Sequence, residues 1–312
     1  MQPRARQCGH VCDVVDGGPA ATCAIGSDAM YCWGAFLLDT GQSDLASAIT
    51  TAAMPTSVQL ASTGDGFGGV VTGCYIAGDE MSCWGETTEG QIQQQSTPDD
   101  YPVVVENSVA NIMDYVVGGD HVCVVGATDL ECWGRVDLDE LDDAGNGGSA
   151  CGDTFCSTTP IVAANAYTTG VIAAGRAHTC IAPNTVLSYG TTCWGDNASD
   201  QLGNAAQGAS FSDAVPVLLD GVPLGQATSL ALGSAHSCAI VGGQTYCWGA
   251  DDFGQLGTGG VARMRCRSRR ASSFKRSRPA RRRRAASTST AVCGAGARTS
   301  AAKPARSRPA AA

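Results

Sequence analysis

Apolar residues in this chain come in short runs broken by glycine. Tyr115-Val116-Val117 and Val171-Ile172-Ala173-Ala174 are typical, and each leads into a His-x-Cys segment. Such runs are too short for a helix that crosses a bilayer. β-Branched residues and glycine are common and helix formers are sparse, so the pattern predicts an all-β chain of short strands and tight turns. Turn chemistry recurs at Gly242-Gly243, at Gly78-Asp79 and at Ser27-Asp28 beside Gly26. Each suits a two-residue hairpin. Ala127-Thr128 beside Gly126 is a weaker turn. Val215-Pro216-Val217 and Tyr101-Pro102-Val103 suit edge strands, where the donor missing from proline is tolerated.

The pattern repeats. Cys-Trp-Gly occurs five times, at residues 32–34, 83–85, 132–134, 193–195 and 247–249, and accounts for all five tryptophans. The tryptophans Trp33, Trp84, Trp133, Trp194 and Trp248 are 51, 49, 61 and 54 residues apart. A period of this size marks a repeat architecture. Seven residues after the tryptophan stands Gln91, Gln201 or Gln255; the third repeat has Glu140 there, and the first has Gln42 nine residues on. The fullest version is Gly254-Gln255-Leu256-Gly257. In three repeats a histidine, His121, His178 or His236, precedes the upstream cysteine by two residues.

Upstream cysteines Cys23, Cys74, Cys123, Cys180 and Cys238 each precede a Cys-Trp-Gly cysteine: Cys32, Cys83, Cys132, Cys193 and Cys247. In four of the five pairs eight residues intervene, with the turn chemistry at the midpoint. Facing positions of an antiparallel hairpin lie within reach of a disulfide, so five hairpin bridges are expected. Cys151 and Cys156 sit in a Gly-Ser-rich insertion, 145–159, and read as a local staple. Cys8, Cys12, Cys266 and Cys293 have no assignable partner. His10-Val11-Cys12 matches His-x-Cys and suggests an irregular first unit.

Gly-x-x-His-x-Cys, then Cys-Trp-Gly, then Gly-Gln-Leu-Gly resembles the repeat of the regulator of chromosome condensation family, most of all its cysteine-rich bacterial branch. The resemblance covers about residues 8–260 and implies a β-propeller of four-stranded blades. Family members usually have seven blades. Five are recognisable here, which implies an incomplete or open ring whose edge strands are an aggregation hazard.

Charge divides the chain. Residues 1–260 hold all 29 acidic residues and four basic ones, Arg4, Arg6, Arg135 and Arg176; residues 261–312 hold sixteen Lys or Arg and no acid. The expected domains are therefore a propeller body, 1–260, and a basic low-complexity tail, 261–312. A disordered arm for nucleic acid or acidic surfaces is one reading of the tail. The preferred reading is out-of-frame translation of a further repeat. Read from each third base, codons for Val292 to Thr299 can give Val-Arg-Cys-Trp-Gly-Ala-Asn near the repeat spacing. Nucleic acid is a partner only if the tail is genuine.

Sixteen cysteines without a metal-type Cys-x2-Cys pair point to an oxidising compartment, extracellular, cell-surface or periplasmic. Met1 to Gln7 is polar and basic, so no signal peptide is visible and the start is expected to lie upstream. The histidine and glutamine columns recur blade by blade and read as structural. The acids Asp137, Asp139, Glu140, Asp142 and Asp143 could offer hard oxygen ligands to calcium, but the full calcium-loop pattern is absent and a solvated loop is expected. No nucleophile elbow, phosphate loop or zinc-protease helix is present, and no lysine precedes residue 275. No catalytic, cofactor or metal residue is assigned. The expected function is a non-enzymatic protein-binding or scaffold propeller whose loops meet an unidentified protein. The alternatives are an intracellular guanine-nucleotide exchange factor and a propeller enzyme with an unrecognised site.

Overall fold

The computed structural model describes residues 12–17, 21–34, 43–49, 51, 53–62, 71–78, 80–85, 88–93, 99–105, 109, 111–126, 129–141, 148–151, 153–162, 170–183, 190–204 and 210–257. The chain divides into Met1–Ser268 and Arg269–Ala312, and every described residue falls in the first unit. His10, Gln42, Asp142, Asp143 and the basic tail lie outside the described residues, as do Cys8, Cys266 and Cys293.

The described chain is all-β and arranged as blades. The first sheet is β1 (Cys12–Gly17), β2 (Ala21–Gly26), β3 (Met30–Gly34) and β4 (Ser43–Ile49), and the second is β5 (Ser57–Ser62), β6 (Val71–Ala77), β7 (Glu80–Gly85) and β8 (Asp99–Val104), each in that spatial order. The third departs from four strands. After β9 (Asp114–Val117), β10 (His121–Val125) and β11 (Leu130–Arg135), the insertion adds β12 (Ser149–Cys151) at the outer edge of β13 (Thr154–Val162). The fourth sheet is β14 (Gly170–Ala174), β15 (His178–Pro183), β16 (Thr192–Asp196) and β17 (Ser210–Pro216). A short hairpin, β18 (Leu218–Leu219) and β19 (Val222–Pro223), precedes a last sheet of β20 (Ser229–Leu232), β21 (His236–Val241) and β22 (Gln244–Gly249). This last sheet has three strands among the described residues. No β-pairing there joins the first sheet to the last.

Each blade is built on its central hairpin. Cys23 faces Cys32, Cys74 faces Cys83, Cys123 faces Cys132, Cys180 faces Cys193 and Cys238 faces Cys247. All five pairs are disulfide-bonded, with Cα atoms 4.0–4.1 Å apart, and Cys151 is bonded to Cys156. Gly242 and Gly243 close the last hairpin with φ of 57° and 75°. This is the mirror-image turn that matches strand twist. The proline-bearing runs fall on β8 and β17, the outer strands of their blades.

The glycine after each tryptophan is required by geometry. In the first four blades register slips between the cysteine and this glycine, which places the tryptophan on a β-bulge. The five glycines have φ between 97° and 115°, a region side chains avoid. A Cβ on Gly134 would lie 2.6 Å from the Asp120 carbonyl oxygen, and one on Gly195 2.5 Å from that of Ala177. These carbonyls accept the backbone N–H of Arg135 and Asp196, at 2.9 and 2.8 Å.

The core consists of four clusters, one at each joint between blades. Trp84 packs with Cys23 and Cys32, Trp133 with Cys74 and Cys83, Trp194 with Cys123 and Cys132, and Trp248 with Cys180 and Cys193. Every joint therefore sets the tryptophan of one blade against the disulfide of the blade before it. Burying one indole contributes on the order of 4 kcal/mol before entropy is subtracted. Replacing Cys123 and Cys132 together by alanine is expected to cost about 2–4 kcal/mol, read as a lower denaturant midpoint. An unchanged midpoint would mean that the bridge and its contact with Trp194 contribute nothing.

Candidate functional site

The repeated polar columns meet at the joints. Trp133 Nε1–H donates to the Gln91 carbonyl at 2.7 Å, Trp194 to that of Glu140 at 2.8 Å and Trp248 to that of Gln201 at 2.7 Å. Each acceptor belongs to the blade preceding its tryptophan. The side chain of the same residue folds back and accepts a backbone N–H two residues earlier: Glu89 to Gln91, Leu138 to Glu140, Ser199 to Gln201 and Phe253 to Gln255. The column thus shapes the loop that presents the carbonyl, and the following Ile92, Leu141, Leu202 and Leu256 are buried.

The histidines form a second tie across the joints. His121 Nε2 lies 2.5 Å from Thr179 Oγ1, and His178 Nε2 lies 2.9 Å from Ser237 Oγ. Ser237 Oγ donates its only proton to the Gln201 carbonyl at 2.8 Å, so His178 must be the donor through Nε2–H. The Gln201 carbonyl thereby takes two hydrogen bonds, from Trp248 and Ser237. Burial holds the imidazoles neutral, with His121 lowered to about 4 and His178 to about 3. The glycine three residues before each histidine makes room for its ring. A Cβ on Gly118, Gly175 or Gly233 would lie 2.1–2.5 Å from the following histidine's Cε1.

The body's described cations gather on one charged cluster. Arg135, at the end of β11, has Nη2 3.2 Å from Asp137 Oδ2 and Nη1 3.6 Å from Asp120 Oδ2. Its Nε is 3.8 Å from Glu140 Oε1 and 3.9 Å from Glu89 Oε2. Arg176 Nε, from the next blade, is 3.6 Å from the same Asp120 oxygen. Burial disfavours the charge of Arg135, but the surrounding carboxylates outweigh it and raise its pKa. Glu140 is fully buried and is pushed up to about 8 by desolvation, against the pull of backbone hydrogen bonds and Arg135. The swap of donor and acceptor is visible between repeats. Gln201 donates its amide to Asp196 at 2.8 Å, whereas Glu140 faces Arg135, which occupies the position of Asp196. The insertion covers this cluster, with Thr154 Oγ1 donating to Glu89 and the Phe155 N–H to Asp137, both at 2.8 Å. Phe155 itself stays exposed.

Of the sequence-level acids, Asp137 and Glu140 thus engage Arg135, while Asp139 accepts the Ser210 hydroxyl at 2.5 Å. Asp120, Glu89, Arg135 and Arg176 carried no motif; their one signal is the rarity of arginine in so acidic a body. A cavity of about 370 Å³ lies between β1, β5, β9 and β14. Two polar side chains on its wall, Asp16 and Gln59, are already bonded to the backbone of Leu60, and of Tyr115 and Val117. Among the described residues, no helix is long and apolar enough to cross a membrane.

No protein-family model matches the chain. It is 28% identical to the ultraviolet-B receptor UVR8 of Arabidopsis thaliana over 190 residues, 59% of this chain and 40% of that one. It is 28% identical to the human E3 ubiquitin-protein ligase HERC2 over 188 residues, 58% of this chain and 4% of that one. The chain thus matches less than half the length of these relatives. Among solved structures, yeast RCC1 (Prp20) bound to Kap60 superimposes with a TM-score of 0.60 at 18% identity, over 78% of this chain and 57% of that one. Human WBSCR16 gives a TM-score of 0.60 at 16% identity, over 78% and 63%. Both share the fold.

Two variants test the joints. Ser237→Ala leaves the buried His178 N–H without its acceptor and is expected to cost about 1–3 kcal/mol, whereas an exposed serine such as Ser229 is expected to cost almost nothing when truncated. Glu140→Gln tests the buried acid. A folded pKa raised above the unfolded value means that Glu140 stabilises the fold when protonated. That contribution fades as pH climbs from about 4.5 toward 8. The variant should therefore melt higher than the parent, by a margin that widens across this window. An equal margin at pH 5 and pH 8 would show that Glu140 is not protonated in the folded protein.

Proposed function

We propose that this chain, whose repeats are of the regulator of chromosome condensation family, is a non-enzymatic scaffold that binds a protein partner in an oxidising compartment. The observation that carries the reading is the use to which its polar residues are put. Three of the four histidines sit in the repeat column, His121 and His178 are locked neutral in joints, and the glutamine column shapes loops. This leaves the acid-rich surface, with Phe155 exposed on β13 and Phe253 exposed in the loop after β22, as the binding surface. Function on this fold lives in such loops. Yeast RCC1 (Prp20), which shares the fold, is seen bound to the protein Kap60.

The disulfides support the compartment reading. Five bridges lie within blade hairpins, and four of them form the floor on which the next tryptophan packs. A reducing cytosol would leave ten thiols in these positions. We therefore infer an extracytosolic setting, at the cell surface, in the periplasm or beyond, over an intracellular exchange-factor role. The propeller body is taken as residues 1–260, and the basic segment 261–312 is not counted as a repeat.

Thiol labelling of the protein taken from its native cells tests the compartment. Hairpin cysteines blocked until reduction support it, and ten reactive thiols overturn it. Chemical crosslinking in the same cells tests the scaffold role. Crosslinks from the acidic loops to another protein support it, and crosslinks confined to the chain itself overturn it.

A further inference from the structure

One disulfide sits outside the joints. Cys23–Cys32, Cys74–Cys83, Cys123–Cys132 and Cys180–Cys193 each lie in a joint cluster against the tryptophan of the next blade. Reaching the sulfurs of these four joint bridges requires parting two blades. Cys151–Cys156 belongs to none of the four clusters. It links β12, a three-residue strand at the outer edge of its sheet, to the start of β13. Both cysteines are buried, so a reagent reaches them through local opening. The unit that must open is β12, held to β13 by the pairs Ser149–Cys156, Ala150–Phe155 and Cys151–Thr154. So short an edge strand lies at the low end of the range of local stabilities.

The bridge holds a clamp across two blades. Thr154 Oγ1 donates to Glu89 Oε2 of the second blade at 2.8 Å, and a Cβ on Gly90 would lie 2.8 Å from Cys156 Sγ. Gly90 adjoins Gln91, whose carbonyl accepts the Trp133 indole. Within the third blade the Phe155 N–H donates to Asp137 at 2.8 Å, and the Phe155 carbonyl accepts the Val136 N–H at 3.0 Å. The two acids gripped in this way, Glu89 and Asp137, are both paired with Arg135, at 3.9 and 3.2 Å. The bridge therefore keeps in register a segment that spans two blades and covers the Arg135 guanidinium.

We propose that Cys151–Cys156 is a redox latch: a dithiol reductant opens it while the four joint bridges stay closed, and opening uncovers the Arg135 cluster. The step is thiol–disulfide exchange. One thiolate of the dithiol attacks a sulfur of the bridge, and the other cysteine leaves as a thiolate that takes up a proton. The second thiolate of the dithiol then displaces the cysteine still bound, which is protonated in turn, and the dithiol departs as a disulfide. Two electrons pass to the protein, and Cys151 and Cys156 end as thiols. Without the bridge, hydrogen bonds alone keep Thr154 and Phe155 over Glu89 and Asp137. Once these part, Arg135, Glu89 and Asp137 meet solvent as one charged surface between the second and third blades. The latch goes beyond the scaffold reading and does not depend on it.

The test is graded reduction of the full chain with dithiothreitol, alkylating the thiols freed at each step and locating them by mass spectrometry. Cys151 and Cys156 should be released roughly a hundredfold faster than any cysteine of the four joint bridges. Phenylglyoxal labelling should then rise at Arg135 and amide exchange at Phe155, with no change at Val124 in the central hairpin of the same blade. Thr154→Val removes the tie to Glu89 and should speed release about tenfold, through loss of one hydrogen bond to a carboxylate. Replacing Cys151 and Cys156 together by serine should give the raised Arg135 labelling without any reductant. The proposal is overturned if a joint bridge opens as fast as Cys151–Cys156. It is equally overturned if opening the bridge leaves Arg135 as unreactive as before, or if Thr154→Val leaves the rate unchanged.

Discussion

The structure depends on one contact made again at every joint, an indole set against the disulfide of the preceding blade; at three of the four, those of Trp133, Trp194 and Trp248, its N–H is tied to a carbonyl beside it. A blade of three or four short strands cannot bury its own faces. The contact supplies what it lacks, a large apolar surface with one polar atom that fixes its orientation. The disulfide contributes twice, by holding the hairpin register and by giving the indole a flat floor. The glutamine column exists to present the carbonyl, and the glycine after tryptophan exists because the bulge brings two backbones within 2.6 Å of an absent Cβ at Gly134. Residues that look like separate motifs are parts of a single joint.

The third repeat shows how the joint tolerates change. Glu140 replaces glutamine and still receives the Leu138 N–H and presents its carbonyl to Trp194. Its second oxygen, where glutamine would have an amide, faces a guanidinium instead of a carboxylate. Low dielectric makes the buried charge costly even beside Arg135, and burial lifts the acid until its protonated form competes near neutral pH. Arg135 then holds Asp120, Asp137 and Glu89 in place. In a body with 29 acids and four bases, using two of the bases here concentrates most of the described ion pairing at one joint. The Cys151–Cys156 insertion settles over it.

The fold therefore separates its tasks. Histidine, glutamine and tryptophan are drawn inward by the joints, and acids and a few aromatics such as Phe155 and Phe253 stay at the surface.

Much was legible in the sequence because a repeat multiplies every weak signal. One Cys-Trp-Gly says little, but five in register gave the blades, and eight residues between cysteines with glycines at the midpoint gave the hairpins. Strand class followed from Tyr115-Val116-Val117 and its equivalents, since local pattern and turn chemistry agreed. The sequence could not say what the columns bond to. His178 and Ser237 are 59 residues apart, and Trp194 and Glu140 are 54 apart, so neither contact leaves a local trace. The Arg135 cluster was hidden for the same reason, because its carboxylates come from two blades and carry no motif. The fifth strand of the third sheet was hidden too, since Ser149–Cys151 pairs only once the staple folds it back. Local chemistry determined the blade, and only the packing of blade on blade decided what each polar side chain was for.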